Sequence, residues 1–205
     1  MDRRDLLKFI GAATGVAFVS SHSFAWDDHA PVSLASTGFT ESDVALFNEM
    51  AEVIIPQTDT PGAKAANVGQ IITVLVADCY PAVIQKAFVD GIQAIRERAV
   101  KDYGKDFLLL SGQERLALFS TLDKEANAYN RENHINDYIA SERPSRWEPG
   151  SEGPVPHHFT LLKQLTLFGF FTSRPGATQV LRYVAIPGRY DGAYPFKKGD
   201  KAWAT

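Results

Sequence analysis

Cysteine is nearly absent from this sequence of 205 residues, in which Cys79 is the only one. The chain therefore cannot form an intrachain disulfide. It cannot by itself bind an iron–sulfur cluster or a cysteine-rich metal site either, because both need several thiolates. It also lacks the C-x-x-C-H motif for haem attachment and the G-x-G-x-x-G motif of dinucleotide-binding folds. We predict that the chain contains no catalytic, cofactor-binding or metal-binding residues.

The sequence also has no strong excess of charge of one sign. Its formal net charge is −3, and no long run of like charges occurs. A nucleic-acid partner would require a basic surface that neutralises phosphates, so we expect none. Apolar residues make up 45% and charged residues 22% of the chain, which is typical of a soluble globular protein of one domain, or two at most.

The first 25 residues have the pattern of an export signal. A charged start precedes an apolar run over residues 9–19, and Ala25 lies where a signal peptidase prefers a small residue. The apolar run is much shorter than the ~20 residues that a membrane-spanning helix needs. We therefore predict a signal peptide over residues 1–25, cleaved after Ala25, and a linker over residues 26–39.

Paired arginines make this signal more specific. Arg3 and Arg4, followed by Leu6 and Lys8, indicate a twin-arginine (Tat) signal, and the Tat translocase is then a partner. Adjacent guanidinium groups can each bind a carboxylate through two hydrogen bonds, which lysine cannot do. A general secretory signal and a retained N-terminal anchor are the alternatives. Because the Tat route exports folded proteins, often with a cofactor, we expect the cofactor to belong to a partner exported with this chain.

The remaining residues show the apolar spacing of about five main helices. Thr40 and Ser111 each begin a capping-box sequence, Asn67 and Pro81 suit the starts of two further helices, and Pro175 follows the fifth. The predicted inward stripes include Phe47, Met50, Ile72, Phe88, Ile95, Leu116, Phe119, Leu122, Tyr129, Phe159, Leu162, Leu165 and Phe168. We predict an all-α, single-domain helical bundle over residues 40–205, with a long loop over residues 141–156 and an extended, aromatic-rich C-terminal tail.

Several segments in a fixed order carry a family likeness. They are Ile54–Ala63, Leu75–Tyr80, Leu162–Ser173, Gly176–Gln179, Leu181–Tyr183, Pro187–Gly192 and Lys198–Thr205. Together they resemble the gluconate 2-dehydrogenase subunit 3 family, and the likeness extends over roughly residues 40–205.

The resemblance implies a non-catalytic small subunit of an oxidoreductase complex that acts on the CH–OH groups of a sugar or sugar acid. The large subunit of such a complex is a flavoprotein of the glucose–methanol–choline (GMC) type, which binds FAD. A multihaem cytochrome c subunit often takes the electrons and anchors the assembly. The small subunit is expected to support maturation, stability and Tat export of the large one. The implied location is the periplasm, in association with the inner membrane through the complex alone.

Two other functions stay open at this point. A stand-alone periplasmic enzyme or ligand-binding protein would show turnover or ligand binding as the isolated chain. A structural linker to the cytochrome would bind the cytochrome when the flavoprotein is absent.

The C-terminal tail contains the candidate partner interface. Its aromatic residues are interspersed with five basic residues (Arg182, Arg189, Lys197, Lys198 and Lys201), and Tyr, Trp and Arg are the residue types that anchor protein interfaces. The tail packs either on the helices of its own chain or against the large subunit. The candidate interface residues are Arg182, Tyr183, Arg189, Tyr190, Asp191, Tyr194 and Trp203.

Three smaller features have one structural and one functional interpretation each. Cys79 is either a buried, inert thiol or half of an intersubunit disulfide, because the periplasm is oxidising. His157 and His158 are adjacent and should point in different directions, as capping or exposed residues, with a contact to the partner's active-site mouth as the alternative for His157. Asp59 either orders the turn around it or belongs to an interface.

Overall fold

The computed structural model describes residues 34–135, 155–186, 188, 192–195 and 197–204. Within them the chain forms five α-helices and no strand, which confirms the predicted all-α, single-domain bundle. The α-helices are α1 (Glu41–Ile54), α2 (Val68–Val74), α3 (Ala82–Tyr103), α4 (Gly112–Glu132) and α5 (His158–Thr172). Short 3-10 turns cover Leu34–Ser36 and Phe107–Leu109, and π-helical turns cover Leu75–Cys79 and Gly176–Val180.

Local sequence explains where α1 and α4 begin. Both predicted capping boxes are present: the Thr40 N–H donates to Asp43 Oδ2 (2.8 Å), and the Ser111 N–H donates to Glu114 Oε2 (2.7 Å). The Ser111 N–H also holds the pKa of Glu114 below its usual value. Because each box joins residues three apart, two helix starts are determined without any tertiary contact.

The start of α2 differs from the prediction that Asn67 caps it. Asn67 has a left-handed backbone (φ 50°) and makes no side-chain cap bond; its amide bonds Gln70 and Asn48 instead. The cap comes from α1, where Asn48 Oδ1 accepts the Gly69 N–H at 2.8 Å. A side chain 21 residues away in sequence therefore satisfies one of the unpaired N–H groups at this helix end.

Helix α5 is the central element, since it packs against each of the other four helices. Aromatic contacts connect the interior: the ring centroids of Phe119 and Phe159 are 5.0 Å apart, and those of Phe107 and Phe119 are 5.4 Å apart. Each buried phenylalanine contributes roughly 1.5–3 kcal/mol to the burial term. The interior is therefore held by side chains from helices that are distant in sequence.

Glycine permits two close helix crossings. A Cβ on Gly69 would overlap the carbonyl oxygen of Val44, so α2 approaches the backbone of α1 only because this residue has no side chain. A Cβ on Gly91 would overlap the imidazole of His158, whose ring lies across α3 at this point. Both glycines are buried at these crossings.

Three residues of the predicted inward stripes are exposed instead: Leu116 (58%), Tyr129 (39%) and Phe168 (56%). In α4 the buried sector passes through Leu118, Phe119 and Leu122, and Leu116 lies at its edge, where it is exposed. In α5 the inward position next to Phe168 belongs to Gly169, whose Cβ would meet Val68 at 3.2 Å. Among the described residues, no helix combines the length and apolar content needed to cross a membrane.

Candidate interaction surface

The loop that follows α1 is fixed by one carboxylate. Glu52, in the last turns of α1, accepts the N–H of Gln57 (2.7 Å) through Oε1 and the N–H of Lys64 (2.8 Å) through Oε2. Gly62 is buried beside this carboxylate, where a Cβ would lie 2.5 Å from it. The segment 55–63 is thereby a rigid loop whose residues 56–59 are exposed.

The predicted ordering role of Asp59 in this loop is only partly correct. The Thr58 hydroxyl donates to Asp59 Oδ1 (3.0 Å), but the Thr60 N–H donates to Thr58 Oγ1 (3.4 Å). Thr58, and not Asp59, therefore accepts the backbone N–H that closes the turn, and Asp59 lies at the exposed tip of the loop.

A charged network joins this loop to α4. Glu49 accepts hydrogen bonds from Lys64 and from Arg115 Nη1 (2.6 Å), and these two cations, Lys64 first, lower its pKa. Arg115 also donates to the Leu108 carbonyl (2.8 Å) and covers the ring of Phe107, 5.2 Å from its centroid. Both cations, Lys64 and Arg115, bond groups of their own chain, so we interpret this network as structural.

The two histidines lie together where the chain enters α5, contrary to the prediction that they point apart. Their ring centroids are 4.1 Å apart. His157 caps the helix as predicted, because its Nδ1 accepts the Phe159 N–H at 3.2 Å. Burial, and then the neighbouring His157, lower the pKa of His158 to about 4. The pair therefore belongs to the α4–α5 junction, where Asn130 also accepts the His157 N–H.

Cys79 ends the π-helical turn after α2, and its thiol is exposed. The interpretation as a buried, inert thiol is therefore wrong: the turn directs Cys79 outward, while Val76 in the same turn is buried. The neighbouring Tyr80 is half-buried, and burial, followed by the charge of Cys79, raises its pKa. An intersubunit disulfide through Cys79 stays a prediction.

The C-terminal tail is organised around Arg182. Its backbone pairs with the end of the chain, since the Arg182 N–H donates to the Ala202 carbonyl (2.8 Å) and the Ala204 N–H donates back to the Arg182 carbonyl (2.9 Å). Its guanidinium donates to Tyr194 Oη (2.9 Å) and covers the ring of Trp203, 4.8 Å from the centroid. Asp200 is its ion-pair partner at 3.9 Å. We call these four residues, Arg182, Tyr194, Asp200 and Trp203, the tail cluster.

Among the described tail residues, Arg182, Tyr194 and Trp203 pack on each other. Tyr183, Tyr194 and Trp203 remain 40–48% exposed, although Lys201 Nζ reaches the Gln179 carbonyl at 2.7 Å. The cluster thus contains three predicted interface residues, Arg182, Tyr194 and Trp203, and the fourth, Tyr183, follows Arg182 in sequence. The other three, Arg189, Tyr190 and Asp191, lie outside the described residues, as do Arg3, Arg4, Leu6, Lys8 and Ala25 of the predicted signal.

A second exposed surface was not expected from the sequence. The outward side of the last turns of α5 carries Leu167 (38% exposed), Phe168 (56%) and Phe171 (37%), which we call the α5 apolar face. Their spacing of one, three and four residues places them on one side of the helix. Phe171 also packs edge-to-face against the buried Phe170, with centroids 5.2 Å apart.

Comparison with known proteins then decides the family. The family model described as gluconate 2-dehydrogenase subunit 3 matches residues 41–188. The chain belongs to the gluconate 2-dehydrogenase subunit 3 family. Membership makes it one subunit of a dehydrogenase complex that contains other subunits. A search of curated proteins and a search of solved structures gave no match.

Sequence reasoning missed the α5 apolar face of this subunit 3 protein. The available signal was the composition of the helix. From Phe159 to Thr172 only Lys163 carries a charge, so no face of the helix has several charged residues. A helix that is apolar all round is normally buried on all sides. Across the described ranges, no group of three metal-binding side chains comes together.

Proposed function

We propose that this protein is the non-catalytic small subunit of a periplasmic, FAD-dependent sugar or sugar-acid dehydrogenase. In this proposal it binds a GMC-type large flavoprotein, supports that subunit's maturation and stability, and supplies the Tat signal that exports both. A multihaem cytochrome c would accept the electrons and hold the complex at the inner membrane. The observation that carries the proposal is the subunit 3 family match over residues 41–188.

Two features of the chain support a binding role. The described interior of the bundle is filled by large side chains such as Phe47, Phe88 and Phe107, each at most 2% exposed. The outside, by contrast, presents apolar side chains at the α5 apolar face and aromatic ones in the tail. Exposed apolar groups of this size are typical of protein interaction sites.

The leader supports the export role. Adjacent arginines at positions 3 and 4 are the feature that the Tat route requires, and this route carries folded, cofactor-loaded proteins. A large subunit without its own signal would then cross the membrane only when bound to this chain.

The test is the double substitution Arg3→Lys and Arg4→Lys in cells that express the whole complex. We expect the large subunit to disappear from the periplasmic fraction and to accumulate in the cytoplasm, as measured by immunoblot and by dehydrogenase activity of each fraction. The matched control is Arg131→Lys, an exposed arginine on α4, which should leave export unchanged. A large subunit that still reaches the periplasm would show that the escort role is wrong.

A second measurement separates this proposal from a stand-alone enzyme. The purified chain should bind no FAD in a fluorescence titration and should oxidise no sugar with an artificial electron acceptor. Tightly bound flavin or turnover by the isolated chain would contradict the non-catalytic role.

A further inference from the structure

We propose that the α5 apolar face is the surface on which the large flavoprotein subunit binds. This inference rests on the proposed function, because it requires that partner, and it goes further by naming the surface and the chemistry that the partner must present. The partner surface would be an apolar patch bordered by carboxylates.

The first step is that the fold does not need this face to be apolar. Helix α5 already fills the interior through its opposite side, where Leu162, Leu165 and Phe170 are at most 3% exposed. Leu167, Phe168 and Phe171 project away from that interior. Their replacement by polar residues would cost the core little, so their apolar character has to be explained by something outside the bundle.

The second step is a comparison with the outward sides of the other long helices. The outside of α3 carries ion pairs, such as Lys86 with Asp90 at 2.5 Å and Arg98 with Asp102 at 2.5 Å. The outside of α4 carries Arg131 and Glu132 in its last turn. Helices α3 and α4 also expose apolar residues, such as Val89 and Leu116, but their outward sides carry charged residues as well, whereas no charged residue lies between Gln164 and Ser173 of the chain.

The third step is the charge at the border of the face. From Arg174 to the C-terminus the chain has six basic residues and two acidic ones, whereas the residues before it have 15 basic and 22 acidic. Arg174 is exposed two residues beyond α5, and the bond from Lys201 to Gln179 holds a second cation at the turn that packs against α5. The C-terminal end of the face is therefore bordered by positive charge, which is complementary to carboxylates on the partner.

The same border argues against a second copy of this chain as the occupant. In a two-fold symmetric dimer whose axis passes through this end of α5, the cations beside one helix would lie next to those beside the other. Like charges placed together across an interface oppose association.

A membrane surface is also a poorer occupant. A helix that lies in a lipid interface has a strongly charged face opposite its apolar face. The side of α5 opposite Phe168 is instead buried in the bundle. We therefore assign the face to a protein partner, and the family assigns a dehydrogenase complex to this chain.

The direct test measures binding of the full chain to the purified FAD-containing large subunit of the same organism. Phe168→Asp should raise the Kd about tenfold or more, because an aromatic anchor at the centre of an interface is replaced by a desolvated charge. Leu116→Asp is the matched control, since Leu116 is 58% exposed on α4 and Phe168 is 56% exposed. The control should change the Kd by less than about twofold.

Folding of each variant is checked by circular dichroism and thermal unfolding. If Phe168→Asp does not fold, Phe168→Ser removes the ring without adding a charge, and it should also weaken binding. Wild-type chain that binds the flavoprotein, together with either folded variant binding equally well, would overturn this inference and leave the proposed function intact. Wild-type chain that does not bind the flavoprotein would overturn both.

The charge of the partner is tested separately. Arg174→Glu should slow association about three- to tenfold at low salt, and added salt should reduce the difference. Arg131→Glu, on α4, should have little effect. Two further outcomes would overturn the assignment to a protein partner: a wild-type dimer that Phe168→Asp dissociates in sedimentation, or binding to vesicles of anionic phospholipid that Phe168→Asp abolishes.

Discussion

Two irregular segments of this molecule, the loop from residue 55 to 67 and the C-terminal tail from Leu181 onward, are ordered in opposite ways. Side chains of α1 hold the loop: Glu52 binds its backbone, and Asn48 caps the helix that follows. The tail instead holds itself, through Arg182 and the residues that its guanidinium contacts. The loop is therefore part of the bundle, whereas the tail is ordered locally and keeps its aromatic side chains half-exposed. Substitutions in the loop should therefore lower the stability of the whole bundle, whereas substitutions in the tail should affect only the tail.

The largest effect is expected where the loop enters α2. In Gly69→Ala the new Cβ would overlap the Val44 carbonyl oxygen and lie 2.9 Å from the Asn48 nitrogen, and both are backbone atoms that cannot rotate away. Helix α2 must then move from α1, and we expect unfolding to become easier by about 3 kcal/mol, measured by urea denaturation. Gly112→Ala is the control, because no atom lies within 4 Å of its Cβ position; its stability should change by less than ~0.5 kcal/mol. Equal stability of the two variants would show that the crossing is not tight.

Removal of the Glu52 carboxylate should have the next largest effect. Glu52→Ala leaves the N–H groups of Gln57 and Lys64 without their acceptor, at a cost of about 2 kcal/mol. The loop should also become sensitive to limited proteolysis between residues 56 and 64. In the control Glu97→Ala, an exposed carboxylate on α3 bonds only Gln93 one turn away, and a loss below ~0.5 kcal/mol is expected. An unchanged proteolysis pattern in Glu52→Ala would contradict the role of this carboxylate.

A change at the start of α5 should have an effect of intermediate size on stability, and the pH dependence of unfolding measures it. The folded chain keeps His158 neutral down to about pH 4, whereas an ordinary histidine protonates near pH 6.5. Between these two pH values the unfolded state therefore binds more protons than the folded state. The contribution of His158 to the free energy of unfolding is fully present above pH 6.5 and decreases as the pH falls towards 4. Because the ring is partly exposed, we expect a loss of about 1–2 kcal/mol over this range. His158→Gln should flatten the thermal unfolding profile between pH 6.5 and 4; a profile as steep as wild type would assign the effect to other groups.

The smallest global effect is expected in the tail. Arg182→Ala removes the guanidinium that contacts Tyr194, Asp200 and Trp203, none of which belongs to the bundle interior. The melting temperature should change by less than about 2 °C, while cleavage by trypsin after Lys197 or Lys198 should become several-fold faster. Arg182→Lys, which keeps the charge but not the planar donor group, should give intermediate cleavage. Cooperative loss of the whole fold in Arg182→Ala would show that the tail is part of the bundle.

Local sequence predicted the helical fold well. The capping boxes at Thr40 and Ser111 depend on residues three positions apart, and the structure confirms both. The Asn48 cap on Gly69 and the Glu52 bond to Lys64 join residues 21 and 12 positions apart, so no local pattern contains them.

The candidate surface was predictable only in part. The tail aromatics could be recognised because Tyr194 and Trp203 lie in a segment with no helical period, which cannot form its own core. Phe168 could not, because an apolar residue three positions after Leu165 has the spacing of an inward stripe. Only the position of Gly169 against Val68 shows that the buried side of α5 is rotated away from Phe168. Cys79 was misplaced for a similar reason, since a π-helical turn changes the facing of the residues that follow α2.

Glu52 binds main-chain N–H groups, and every amino acid except proline supplies the same group. The exposed residues at positions 56, 57 and 59 can therefore be exchanged for others without losing the two Glu52 bonds, as long as Gly62 keeps its place beside the carboxylate, whereas the Thr58 side chain itself bonds the Thr60 N–H. The Glu52 bonds that shape the loop and the side chains on its exposed surface thus depend on different residues. Substitutions at this tip can therefore change the surface that the loop presents while its backbone shape stays constant.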